Sequence, residues 1–160
     1  PLIAKDLSLE RGRGVHLLKK KKDFDFLKTV GSEREFLFQD FYPDNEEYRL
    51  LVLGYKSMVY YQKINNDPNE FRANTALGAE EKYLPVSQAP RKMKKMAVKA
   101  ARVLGYEVAG VDFLIDKKTK KTWILEVNRG PGFTYGPKVS PELPTFASFL
   151  AKQLGVKKCR

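Results

Sequence analysis

Three oxygen-bearing side chains sit in two neighbouring apolar segments, Ala109-Gly-Val-Asp-Phe-Leu-Ile115 and Trp123-Ile-Leu-Glu-Val-Asn128. Glu126 and Asn128 are two residues apart, so on a strand they share a face. A hairpin joining the two segments lets Asp112 converge on them. An acid inside such an apolar run needs a partner. Three oxygen ligands with no nearby Cys or His suit a hard cation such as Mg²⁺ better than zinc. Mg²⁺ is commonly held by one or two carboxylates together with substrate phosphates, so nucleotide chemistry is indicated. The plainer alternative is a surface hairpin carrying ordinary acids.

Other residues point to anions. Lys5 closes a strand-like stretch, and the loop behind it ends Arg11-Gly12-Arg13-Gly14. Glycines let backbone N–H groups approach phosphate oxygens, and the cations add charge. No Gly-Lys-Ser/Thr leads into a helix, so this is not a P-loop, and alone the glycines are more often a mere turn. Gln39-Asp40-Phe41 ends an apolar strand before a Pro-Asp-Asn turn, a place for an adenine ring to meet apolar walls and backbone groups. Arg72 presents a planar fork that suits a terminal phosphate, although a surface arginine reads the same way in isolation. His16 and the single Cys159 lack the partners that nucleophilic or acid–base work needs, and no role is assigned to either.

Several elements must position these groups. The periods describe a mixed αβ chain without repeats. Strands are expected over Pro1–Lys5, Val15–Leu18, Glu35–Phe41, Tyr48–Leu53 and Ser57–Ile64, with a turn at Gly54-Tyr55-Lys56. Asp23–Val30 reads as a short helix with Phe24 and Leu27 inward. Asn65–Pro85 reads as irregular. Pro90–Leu104 is the clearest helix, with Met93, Met96, Ala97, Ala100, Ala101 and Leu104 inward and Gly105 closing it. The Asp112 hairpin follows, then a helix over Pro141–Leu154 capped by Gly155.

Composition sets the limits. At 160 residues with 42% hydrophobic and 12% aromatic content, the chain is a folded protein with one sizeable core or two small lobes. No apolar run reaches the length of a membrane span and no signal peptide is visible, so no membrane partner is expected. One cysteine excludes a disulfide framework and fits a reducing cytoplasm. A net charge of +11 implies an anionic partner without naming it. The Lys19–Lys22, Lys92–Lys95, Lys117–Lys121 and 157–160 clusters read by default as solvated surface. The chain opens on Pro1 rather than Met, directly into a strand-like stretch, so it is expected to be a piece of a larger protein.

Taken in order, these pieces resemble the ATP-grasp ligases, and within them the RimK-type group that forms peptide bonds. The resemblance rests on Lys5 with Arg-Gly-Arg-Gly-Val15, Gln39-Asp-Phe41, Glu47-Tyr-Arg49, Phe71-Arg-Ala-Asn74, Ala109-Gly-Val-Asp112 and Leu125-Glu-Val-Asn128 with Pro131-Gly132. Each motif is weak alone, but six in the right order are specific. The resemblance implies an α+β ATP-grasp fold of antiparallel sheets with packed helices, in two lobes around a nucleotide cleft. The chain would be the C-terminal portion of that domain. Residues 1–40 or so would cover the nucleotide and 41–160 would bind metal, with the N-terminal domain absent.

By the same resemblance Lys5 would contact the α- or β-phosphate beneath the loop of Gly12, Arg13 and Gly14. Gln39, Asp40 and Phe41 would border the adenine, and Glu47 would hold the ribose. Arg72 and Asn74 would meet the terminal phosphate. Asp112, Glu126 and Asn128 would hold one or two Mg²⁺ ions, or Mn²⁺ in their place. A carboxylic acid would be activated by ATP as an acylphosphate, and an amine, from an amino acid or peptide, would displace phosphate.

Three departures stand out. Leu9 replaces a frequent loop glycine, Glu47 stands where Asp is usual, and Arg129 follows the metal Asn where small residues are usual. Arg129 is therefore expected to clamp a carboxylate or the acylphosphate, making Arg72 and Arg129 the catalytic candidates. Homo-oligomers are expected of the whole protein. Two other readings are a catalytically inactive ATP-binding regulatory module and, ranked last, a basic nucleic-acid-binding domain, since arginines and aromatics do not interleave on one strand face.

Overall fold

The structure, a computed structural model, describes residues 1–9, 13–30, 34–67, 70–73, 77–133 and 140–155. Gly12, Asn74 and Cys159 lie outside them. Contacts divide the chain into two compact units, 1–44 with 65–79, and 45–64 with 80–160. Among the described residues no helix is long and apolar enough to cross a membrane.

The first unit is a three-stranded antiparallel sheet in the order β2-β1-β3, from β1 (Leu2–Asp6), β2 (Val15–Leu18) and β3 (Phe36–Asp40). Period-two alternation splits it into two faces. His16, Ala4 and Phe38 stand in one row. On that face a 3-10 helix over Lys21–Lys28 packs through aromatic rings: Phe26 stacks on His16 at 4.1 Å, and Phe24 lies parallel to Phe38 at 6.5 Å. His16 is thus part of the packing. The helix starts two residues before the expected Asp23 and is 3-10 rather than α. Asp23 accepts the backbone N–H groups of Lys19 and Lys20 at 2.7 and 2.8 Å, which anchors the entry to the helix.

The second unit carries a five-stranded antiparallel sheet in the order β6-β5-β4-β7-β8. Its strands are β4 (Asn45–Leu53), β5 (Lys56–Ile64), β6 (Glu80–Leu84), β7 (Val108–Asp116) and β8 (Thr122–Asn128). The β4–β5 turn has Gly54 at φ +55° and Tyr55 at φ +60°, the pair of left-handed residues that a tight hairpin demands. The sequence missed β6, because Glu-Glu-Lys-Tyr-Leu has no apolar alternation. It needs none, since it is an edge strand paired only with β5.

Helix α1 (Arg91–Val103) follows Pro90, and Gly105 at φ +68° ends its turn. It buries Met93, Ala97 and Ala101 against Leu50, Val52, Tyr60, Val111 and Phe113 on one face of the sheet. The stripe is narrower than its periodicity suggests: Leu104 is exposed. On the opposite face, Leu51, Leu53, Val59 and Tyr61 meet Phe133 and the Phe146 and Phe149 rings of α2 (Glu142–Gln153). Beyond that apolar cover, the same face turns polar.

Candidate nucleotide and metal site

Register builds the polar face. Arg49 on β4 is opposite Tyr61 on β5 and Asp112 on β7, and Asp112 is opposite Glu126 on β8. Directly opposed residues of antiparallel strands share a face, so Tyr61, Arg49, Asp112 and Glu126 form one row. One step along the strands, Lys63 is opposite Glu47; one step the other way, Gly110 is opposite Asn128. Five strand positions singled out above or adjoining them thus point the same way: Glu47, Arg49, Asp112, Glu126 and Asn128. A register irregularity after Asp112 leaves Leu125 without a counterpart and keeps Glu126 on this face.

The partner that a buried acid requires is present. Asp112, 4% exposed, accepts Arg49 Nε at 2.5 Å and Arg49 Nη2 at 2.7 Å, one to each carboxylate oxygen. Lys63 Nζ adds a third contact at 3.0 Å. Burial alone would push the Asp112 carboxyl up, but the Arg49 fork and the Lys63 ammonium outweigh it and hold the group below the usual carboxylate range. Against its own burial, Arg49 is driven up by Asp112, so both ions persist across any ordinary pH. Arg49 also reaches the Tyr61 hydroxyl at 3.4 Å. Burial pushes that phenol up, and it stays neutral.

Arg49 and Lys63 are the functional candidates that sequence reasoning left without a role. A signal existed: Glu47, Arg49, Tyr61 and Lys63 all fall on one period-two face of adjacent strands. Gly110 is the second clue. A Cβ there would lie 2.8 Å from Pro131 Cβ and 3.6 Å from Arg49 Cδ, so the absent side chain lets the segment after β8 and the arginine stem close over the strand. Arg129, in that segment, is exposed and lies with its guanidinium 6.0 Å from the Tyr106 ring centre.

The donor set suits Mg²⁺ in kind. Asp112, Glu126 and Asn128 supply two carboxylates and an amide oxygen. Among the described residues no three acid, His or Cys side chains gather.

The first unit gathers a different set. Lys5 is opposite Val15 and Leu37, and Ile3 is opposite Gln39, so Lys5 and Gln39 share the face away from the 3-10 helix. Among the described residues the Lys5 ammonium has no hydrogen bond or ion pair. Asp40, one residue on, points to the other face. Phe41 follows the strand, donates its N–H to the Pro1 carbonyl at 3.2 Å and sets its ring edge-on to Phe71 at 6.0 Å.

At the loop stem, Asp6 N–H donates to the Gly14 carbonyl at 2.9 Å, and Gly14 holds φ +70°. A Cβ on Gly14 would stand 2.8 Å from both Asp6 and Leu9 side-chain carbons, so Leu9 packs where the turn is tightest. Arg13 is exposed. Arg72 is not extended toward solvent: its Nε and Nη2 fork Glu70 at 2.8 and 2.5 Å.

A family model of the RimK-like ATP-grasp domain matches residues 1–140. This chain belongs to the RimK-like ATP-grasp family. It is 35% identical over 144 residues to a probable alpha-L-glutamate ligase of Pasteurella multocida, covering 88% of this chain and 44% of that protein. It is 32% identical over 136 residues to a second such protein, of Hahella chejuensis, covering 82% and 43%. The chain therefore spans less than half the length of these relatives.

The fold agrees. The ATP complex of a Bacillus anthracis D-alanine–D-alanine ligase superposes with a TM-score of 0.66 at 20% identity, over 98% of this chain and 53% of that one. The ATP-grasp ligase PsnB with a minimal precursor, Mg and ADP gives 0.64 at 18%, over 94% and 46%. This RimK-like ATP-grasp chain thus has the expected α+β architecture of antiparallel sheets with packed helices.

Proposed function

We propose that this chain is the nucleotide- and Mg²⁺-binding portion of an ATP-dependent carboxylate–amine ligase. The observation that carries the reading is the row Arg49–Asp112–Glu126. It is a desolvated carboxylate held by two cations, beside a second carboxylate and an amide on the same face. Asp112, Glu126 and Asn128 would hold the metal, one ion or two, and a bound Mg²⁺ would neutralise phosphate charge. Arg49 and Lys63 would share that task at the terminal phosphate. Lys5, Gly12, Arg13 and Gly14 would meet the other phosphates, Gln39, Asp40 and Phe41 the base, and Glu47 the ribose. Arg72 and Asn74 are assigned to the terminal phosphate; Arg72 would exchange Glu70 for it.

In the reaction, a substrate carboxylate oxygen attacks the γ-phosphorus and the bond to the ADP oxygen breaks, giving an acylphosphate and ADP. An amine nitrogen then attacks the acyl carbon, phosphate leaves with the C–O bond electrons, and the amine proton passes to solvent. Such chemistry is driven by positioning and charge neutralisation, so a general base from this chain is not required. Arg129 would orient the carboxylate, and Arg129→Ala is expected to raise the KM for the acid; an unchanged KM and turnover would remove it from the site.

The relatives named as glutamate ligases support an amino acid or peptide as substrate. The test is a screen of amino acids and peptides with the whole natural protein, following ADP and phosphate release. Release that requires both a carboxylic acid and an amine supports ligation. ATP binding without such release, under every acid–amine pair, would contradict it.

A further inference from the structure

Away from the Asp112 row, on the side of the sheet that α1 covers, lies a groove of about 590 Å³. Six cations line it: Lys56 at the β4–β5 turn, and Arg91, Lys94, Lys95, Lys99 and Arg102 along α1. Helix α1 contains no acidic residue, and among the described residues none of the six has an ion pair. Lys94 only reaches the Val86 carbonyl at 3.4 Å, and Arg102 lies 5.5 Å over the Tyr55 ring centre. Like charges at such helical spacings repel, which costs helix stability unless an anion offsets it. The groove also contains Val98, Val103 and Ser57, whose hydroxyl oxygen is buried with no hydrogen-bond partner.

We infer that this groove is a docking site for an acidic peptide segment, separate from the nucleotide and metal face. The cations recur along the helix from Arg91 to Arg102, eleven residues or about 16 Å of axis, with about 5.4 Å per turn. Alternate carboxylates of an extended peptide lie about 6.7 Å apart on one face, so five or six residues would lay one acid near each turn of α1. Valine methyl groups between the cations suit the aliphatic stems of glutamate or aspartate side chains. Single-stranded nucleic acid carries similar charge, but its binding sites stack bases on aromatic faces, and among the described residues no aromatic lines this groove. The inference does not depend on ligase activity, because its readout is binding without nucleotide.

The probe is fluorescein-labelled octaglutamate, followed by anisotropy on the full chain. Lys95→Glu with Lys99→Glu, both exposed, is expected to weaken binding at least tenfold while leaving ATP binding unchanged. The control pair Lys117→Glu with Lys121→Glu, in the β7–β8 turn, removes the same charge elsewhere and is expected to change affinity less than twofold. Equal losses in both pairs would mean that net charge alone attracts the peptide, and would overturn the site. Failure of octaglutamate to bind at 50 mM salt would do the same. Tighter binding of a dT octamer than of octaglutamate would assign the groove to nucleic acid and overturn the peptide reading.

Discussion

Asp112 concentrates the energetics of the polar face in one side chain. Its carboxylate is out of water, and removing Arg49 leaves it, among the described residues, with the Lys63 ammonium as its one cationic partner. Arg49→Met, similar in length but neutral, is expected to destabilise the chain by about 3 kcal/mol in urea unfolding. Asp112→Asn should cost less in that background than in the wild type, because the Arg49–Asp112 interaction is already gone. Additive effects of the two substitutions would contradict the pairing. At Asp6 the consequence is a dependence of stability on pH. The Ser8 hydroxyl and the Arg34 guanidinium, at 2.6 Å each, hold its carboxyl down to about 2 from 3.8, against the opposing effect of burial. A depressed folded-state value contributes stability above pH 3.8 that is lost as pH falls through about 2. Wild type should therefore lose more urea resistance between pH 5 and pH 2 than Asp6→Asn. Identical profiles would sink the assignment.

At the scale of elements, the β7–β8 hairpin and its neighbour β4 decide whether the site exists. Gly110 is the position where an added methyl must displace something, with Pro131 Cβ 2.8 Å away. Gly110→Ala is expected to cost about 1–3 kcal/mol through overpacking and to disturb the segment carrying Arg129. An unchanged urea midpoint would show that the segment does not rest on β7. These elements were also the readable part of the sequence. Alternation gave β5, β7 and β8 to within a residue at each end and β4 short by three residues at its start, and Gly105 and Gly155 marked helix ends. What escaped had a physical reason. Strand β6 takes its conformation from pairing with β5 rather than from its own polar residues. The 3-10 helix over Lys21–Lys28 buries no residue and is held by aromatic stacking, which periodicity does not record. The need of Asp112 for a partner was legible, but the identity of Arg49 was not, because 63 positions separate the two and only sheet register joins them.

For the whole molecule, the net charge of +11 is spread along the chain, and two places are proposed as anion sites. One is the polar face of the large sheet, where cations are matched by buried acid. The other is the α1 groove, where they are not. Under the proposed function the first would bind nucleotide phosphates, and the oxygen donors on β7 and β8 would hold a divalent ion. Calorimetric titration of ATP into the protein, with Mg²⁺ and then with EDTA, tests that claim most directly. Mg²⁺ is expected to tighten ATP binding at least tenfold in the wild type, and Asp112→Asn or Glu126→Gln to abolish the gain. Equal affinity with and without Mg²⁺, or a full gain in both variants, would contradict it.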